Sequence, residues 1–206
     1  MSGILMLNNK NYTATGNLRL GGIIVGTVPI LVSNGVQRIT LPIYGDEDIK
    51  INTTIYPIGN SGDTNIIGNE FTTSGWVLHF AGRNTLNFRY SSGSPAAFSS
   101  EPFTLREIEM ATADGSLIVD GTTITSGHST SYNHYPIQLF GINEGGTNYS
   151  YVGIGEMSIY KNNALFMHLL PRKDSNDHGY FYDEIGEQSY YSNTSDHLFY
   201  TEIKAN

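Results

Sequence analysis

Nowhere along this chain do apolar residues recur at the three- and four-residue spacing of a buried helix face. They come instead in short runs broken by Gly, Asn, Asp and Pro. A chain patterned this way can close a core only by stacking sheets. Residues 76–90 show it most clearly. Trp76, Leu78 and Phe80 fall on one face of a strand, and Leu86, Phe88 and Tyr90 on one face of its partner. Gly82-Arg83-Asn84 joins the two as a hairpin. Ile49 and Ile51 alternate with Lys50 and Asn52, the pattern of a half-exposed strand. Residues 105–113 admit a helical reading, but Asp114-Gly115 follows at once. Asp120-Gly121, between β-rich runs, then predicts a tight two-residue turn.

The most informative segment is residues 164–193. It opens as a strand with Leu165, Met167 and Leu169 on one face and Phe166, His168 and Leu170 on the other. Both sets are mostly apolar, so cover on both faces is expected. Pro171 offers no N–H and is expected to stop the ladder. Arg172 and Lys173 lead into a polar turn over residues 174–179, and the strand Tyr180-Phe181-Tyr182 follows. A second turn starts at Asp183, whose carboxylate can accept from the amide two residues on, with Gly186 expected at the position needing positive φ. Tyr190-Tyr191 marks a further aromatic strand.

The succession Leu-Pro-Arg-Lys, polar loop, Gly-x-x-Tyr-Asp, x-x-Gly, aromatic pair, Asn resembles the end of a laminin-G-like, concanavalin A-like jelly roll. That version of the fold is found in structural proteins of tailed bacteriophages and prophages. Residues 39–68, 76–90, 105–121 and 136–160, the last with Leu139-Phe140-Gly141 and a Gly153-Ile154 run ending in Ile159-Tyr160, are similar to that family's earlier strands. The resemblance covers residues 36–203. It implies an all-β antiparallel sandwich over residues 36–206, preceded by an N-terminal arm or capping strands over residues 1–35. It also implies a non-enzymatic virion component of tail, fibre or capsid, assembled in the bacterial cytoplasm. The arm would attach it to other virion proteins or to copies of itself, and deleting residues 1–35 is expected to leave a folded domain. A carbohydrate-binding adhesin outside a virion, or a glycoside hydrolase of the same fold, are the alternatives.

Composition narrows the partners. A chain of 206 residues can bury a sizeable core, roughly 70% of its unfolded surface. It has no cysteine, which excludes thiol chemistry and thiolate metal sites. A net charge of −8 argues against nucleic acid, whose phosphates demand Lys and Arg. The apolar residues 21–32 are too few to span a membrane, which takes about 18 or more. No cofactor or metal site is expected. His128, His134, His178 and His197 show no ligand spacing, and residues 174–179 begin like a calcium loop but reach Ile185 where the closing Glu belongs.

Two kinds of site residue stand out. Glu107 and Glu109 share a strand face, as paired carboxylates of sandwich glycosidases do, but Ala111 and Ala113 follow where a third would stand. A solvated face is therefore expected, with no catalytic residue. Aromatic loop residues are the candidate sugar contacts: Tyr132, His134 and Tyr135 in one loop, Tyr149 and Tyr151 in another. Their rings can stack on a sugar while neighbouring Asn and Ser bond its hydroxyls.

Overall fold

The computed structural model describes residues 4–7, 10–13, 18–20, 23–44, 48–59, 64–69, 75–81, 85–90, 96–99, 102–126, 134–141 and 151–204. Every regular element among them is a strand. Four short ones come first: β1 (Ile4–Leu7), β2 (Lys10–Thr13), β3 (Leu18–Leu20) and β4 (Ile23–Val25), which pair as two separate hairpins. Then come β5 (Thr27–Val32), β6 (Ile39–Tyr44), β7 (Ile49–Pro57), β8 (Thr64–Gly68), β9 (Trp76–Ala81), β10 (Thr85–Tyr90) and β11 (Ala96–Ser99). The middle of the chain gives β12 (Arg106–Ala111), β13 (Ser116–Val119), β14 (Thr122–Thr125) and β15 (Pro136–Leu139). The last are β16 (Val152–Lys161), β17 (Ala164–Lys173), β18 (His178–Asp183), β19 (Gln188–Tyr190) and β20 (Leu198–Lys204).

Strands from β5 onward form two antiparallel sheets. The smaller has six strands in the order β11-β10-β9-β8-β15-β6. The larger has ten, in the order β14-β13-β12-β7-β16-β17-β18-β20-β5, with β19 on β18. One apolar core lies between them. Ile39, Leu41, Trp76, Leu78, Phe80, Leu86 and Phe88 come from the small sheet, and Ile51, Ile55, Ile108, Met110, Ile154, Met157, Leu169 and Phe181 from the large one. The period-two runs seen in the sequence supply this core directly. The hairpin read at residues 76–90 is present, with Leu78 opposite Phe88 and Leu86 opposite Phe80.

Four expectations change. Residues 27–32, assigned to the arm or capping segment, are a strand of the large sheet. β5 pairs with β20 along its whole length and with β16 at Gly153 and Ile154, and it buries Val28, Ile30 and Leu31 completely. The sandwich therefore includes residues ahead of position 36. Secondly, β17 is covered on one face only. Met167, Leu169 and Pro171 are buried, while Leu165 and Phe166 are exposed.

Thirdly, Pro171 does not end the ladder, because Arg172 and Lys173 still pair with Tyr180 and Gly179. The Glu184 amide donates to the His168 carbonyl. Alternation along an antiparallel pair then places the bonds toward β18 at positions 170 and 172, and Pro171 faces Phe181 across a non-bonded pair. Its missing N–H would point to the other edge, where pairing with β16 has already ended at Leu169. Fourthly, the left-handed positions of the two turns are Asp177 and Glu187. Gly179 and Gly186 serve close approach instead: a Cβ on Gly179 would lie 2.8 Å from Leu31 Cδ2, and one on Gly186 2.7 Å from Asp183 Oδ2. The Asp183 carboxylate does accept from the Ile185 amide, 3.1 Å away, as expected.

Candidate functional site

β7 runs through the middle of the large sheet with Ile49, Ile51, Thr53 and Ile55 toward the core and Lys50, Asn52 and Thr54 on the solvent side. The ladder fixes what stands beside them. Glu109 on β12 lies opposite Asn52, and Glu107 opposite Thr54. Ile118 on β13 lies opposite Glu109. On the other side Ser158 of β16 faces Asn52, and His168 of β17 faces Ser158. Ile118, Glu109, Asn52, Ser158 and His168 thus form a straight row over five strands. At the usual separation between strands it is about 19 Å long. A hollow of about 350 Å³ opens along it, lined by Asn52, Thr54, Glu107, Glu109, Ile118, Glu156 and Ser158.

Glu156 reaches this face through a β-bulge. Ile154 pairs with Ile55 and Met157 with Thr53, so Gly155 and Glu156 together face Thr54. The extra residue carries a carboxylate into the hollow. His168 holds it from the side: Nε2 lies 2.8 Å from Glu156 Oε1, and Nδ1 lies 3.1 Å from Glu184 Oε2. Arg172 Nη2 is 3.8 Å from Glu184, and the Arg172 guanidinium lies over the Tyr182 ring at 4.2 Å. On the opposite flank Lys50 Nζ is 2.7 Å from Glu109 Oε1. Two acceptors in the hollow, Asn52 Oδ1 and Thr54 Oγ1, are shielded from solvent and have no partner among the described residues.

Glu107 and Glu109 lie on the partly solvated face expected of them, with 38% of the Glu109 side chain accessible, and that face also walls a hollow. A third carboxylate is present after all, supplied by a different strand. What the sequence offered was the Glu-Ile-Glu alternation. The proximity of Glu156 depends on cross-strand register and on a bulge.

The aromatic candidates among the described residues do not gather at one place. Tyr132 and Tyr149 lie outside the described residues. His134 stacks on Tyr44 with centroids 4.4 Å apart and planes at 3°, and Tyr135 follows it, where β15 begins and β6 ends. Tyr151 stands where β16 begins, over Gly35, whose Cβ would fall 2.6 Å from its ring. Ile49, which opens β7, comes only five positions after Tyr44, which closes β6, so His134 and Tyr135 share the end of the sandwich where Lys161 pairs with Ile49. Tyr151 is at the other end, a ten-residue strand away. No single ligand unit can touch both groups.

A second hollow, about 440 Å³, lies at the rim between Asn34, Gln37, Asn176, His178, Ser195 and His197. His178 and His197 stack at 3.5 Å and 15°. Gln37 is fully buried and committed to the scaffold, accepting from Ser33 Oγ and the Asn34 amide and donating to the His197 carbonyl. The turn beside it is built on Asp174, whose Oδ1 accepts from the Asn176 and His178 amides at 2.8 and 3.0 Å. Partial desolvation pushes the Asp174 carboxyl up, but those amide bonds and the charges of His178 and His197 outweigh it and hold the group below its ordinary value. Asp174 Oδ1 is thus engaged in holding the turn.

No protein-family model matches the chain, and no curated protein matches it. Among solved structures, a candidate carbohydrate-binding protein from Bacteroides ovatus is similar with a TM-score of 0.61 and 9% identity, over 89% of this chain and 61% of that one. A Trypanosoma rangeli sialidase, in complex with sialic acid, is similar with a TM-score of 0.54 and 18% identity, over 66% of this chain and 26% of that one. The chain thus spans less than two thirds of the length of either. At such identities the likeness concerns the fold alone: an antiparallel β-sandwich of the concanavalin A-like kind.

Proposed function

We propose that this chain is a non-catalytic carbohydrate-binding module whose site is the polar row across the solvent face of the large sheet. The observation carrying the reading is the pair of shielded, unpartnered acceptors, Asn52 Oδ1 and Thr54 Oγ1, in a hollow walled by carboxylates. An unpaired buried acceptor is costly, and a glycan supplies the hydroxyl donors that such a surface lacks. The row crosses the strands, so successive sugars of an extended chain can lie over successive strands. The B. ovatus likeness supports a fold able to carry such a site. The setting we propose is the virion of a tailed phage or prophage, assembled in the bacterial cytoplasm and binding a host surface polysaccharide. Residues ahead of β5 would hold it to other virion proteins or to further copies of the chain. The support for that setting is the resemblance of residues 164–193 and the upstream motifs.

Screening against bacterial surface glycans tests the site: Asn52→Ala should weaken any captured ligand about tenfold, the loss expected when a buried polar partner goes. Binding unchanged by Asn52→Ala would reject it. A second reading, glycoside hydrolysis, is favoured by one observation, the three carboxylates Glu107, Glu109 and Glu156 around one hollow. Release of reducing ends by the native chain, abolished in Glu107→Gln or Glu109→Gln, would put that reading in place of the first. Purified particles containing the chain would support the virion setting, and their absence from its producing lysate would count against it.

A further inference from the structure

Resting on the glycan reading, we infer that the site continues past the hollow onto an aromatic shelf on β17 and β18, and that its ligand is an extended, uncharged glycan. Met167, Leu169 and Pro171 are buried, so His168, Leu170 and Arg172 share the solvent face of β17. Tyr180 and Tyr182 flank the buried Phe181 and share that face of β18. The ladder sets Leu170 opposite Tyr182 and Arg172 opposite Tyr180. Met157 pairs with Leu169, so the next rung places Glu156 beside Leu170. Glu107, Thr54, Glu156, Leu170 and Tyr182 thus form a second row, over β12, β7, β16, β17 and β18. It crosses the hollow and runs about 19 Å to the shelf.

The shelf is braced yet open. The Arg172 guanidinium lies 4.2 Å over the Tyr182 ring, and Tyr180 and Tyr191 stack with centroids 4.8 Å apart. Tyr191 and the Arg172 side chain are each 44% exposed. Rings already held by neighbours lose little freedom when a sugar docks, and the C–H face of a pyranose packs on them without an unmet donor or charge. In the hollow, Lys50 and His168 already hold Glu109 and Glu156, and Glu107 is engaged as well. A charged sugar would have to displace one of these partners. A neutral one brings hydroxyl donors, which Asn52 Oδ1 and Thr54 Oγ1 can accept. Successive pyranoses of an extended chain advance by roughly one strand spacing, so about five of them cover the row.

Calorimetric titration of the full chain tests this with β-linked glucose and N-acetylglucosamine oligomers, trimer to heptamer, and a galacturonic acid series as the anionic control. In a neutral series, affinity should rise about tenfold from trimer to pentamer and level off beyond it. Asn52→Ala should weaken every length alike. Tyr182→Ala and Tyr191→Ala should each reduce the pentamer's advantage over the trimer, and Tyr182→Phe, which keeps the ring, should retain it. Tyr191 is exposed, so its variant separates loss of a ring from any unfolding caused at half-buried Tyr182. Affinity that does not grow with length, or an advantage that survives both alanine variants, overturns the inference and leaves the glycan reading standing. Tighter binding of the galacturonic acid series overturns the assignment of an uncharged ligand. A chain that self-associates and becomes monomeric in Tyr191→Ala makes the shelf an interface between copies and overturns the inference as well. Failure of every oligomer to bind removes the glycan reading together with it.

Discussion

The hydroxyl of Thr54 occupies the space in which a side chain on Gly155 would begin, while the next atoms around that point, Pro29 O and Thr54 Cβ, stand 3.5 Å away. This leaves room only for glycine at the bulge that sends Glu156 to the solvent face. Gly155→Ala should therefore cost about 1–3 kcal/mol, as overpacking does, and should weaken ligand binding by shifting Glu156. Thr54→Ala alone should be near neutral in stability, because the hydroxyl it removes is unpartnered. Combining the two relieves the clash. A double-mutant cycle, read from the fluorescence of the single tryptophan, Trp76, in denaturant, should show a favourable coupling. Additive losses would mean that Thr54 does not limit the space at Gly155.

Asp120 ties the edge hairpin to the wall of the hollow. Its Oδ2 is 2.8 Å from Arg106 Nη1, and its Oδ1 accepts from the Glu107 amide at 2.9 Å. Both Asp120 and Gly121 have positive φ, 49° and 76°, as a type I′ turn requires. Asp120→Ala loses two bonds and leaves an ill-suited residue in the left-handed region, for about 1–3 kcal/mol in thermal or denaturant unfolding. Asp120→Asn tolerates that φ and keeps one acceptor, so it should lose less than half as much. Equal losses would locate the effect in charge alone.

The turn at Asp174 gives a pH signature. Its carboxyl is held below the ordinary value of 3.8. A depressed folded-state value contributes stability above the unfolded value, and that contribution is lost as pH falls through the folded one. Carboxyl NMR should find the Asp174 midpoint below 3.8. The acid side of the stability profile should be shallower in Asp174→Asn, which keeps the amide acceptor without the titration. Added calcium should leave the melting temperature unchanged, since Asp174 Oδ1 already serves two amides. A calcium-dependent rise would restore the ion-binding reading.

What could be read from the sequence was whatever depends on near neighbours. Trp76, Leu78 and Phe80 announce a buried strand face by period two, Asp120-Gly121 announces its turn, and Asp183 announces the bond to the amide of Ile185. The site depends on distant neighbours. Glu109, Asn52 and Ser158 become adjacent only once β12, β7 and β16 are ordered and registered, and a one-residue slip would turn each to the other face. The bulge at Gly155 shifts the register again, and only that shift brings Glu156 in as the third carboxylate. Among the described aromatic candidates, His134 and Tyr151 stand beside stretches that read as equivalent in sequence, yet the two residues lie at opposite ends of the sandwich. At Pro171 the outcome depends on which edge its missing N–H faces.

The placement of β5 gives a boundary that can be tested by truncation. Val32, Leu31 and Ile30 pair with Phe199, Tyr200 and Thr201, while Val32 and Leu31 also meet Gly153 and Ile154 of β16. β5 thus bridges two strands that otherwise join only through β17 and β18. Removing residues 1–35 uncovers the edges of β20 and β16 and deletes three fully buried side chains, Val28, Ile30 and Leu31. Their burial is worth about 5–9 kcal/mol together, comparable with the whole stability of a typical domain, about 5–15 kcal/mol. Truncation to residue 36 should therefore yield a chain that exposes Trp76 and aggregates. Truncation to residue 26 keeps β5 and should retain cooperative unfolding with the same Trp76 emission. A stable, cooperative fold in the shorter chain would show that β5 is an accessory strand and would return residues 27–32 to the arm.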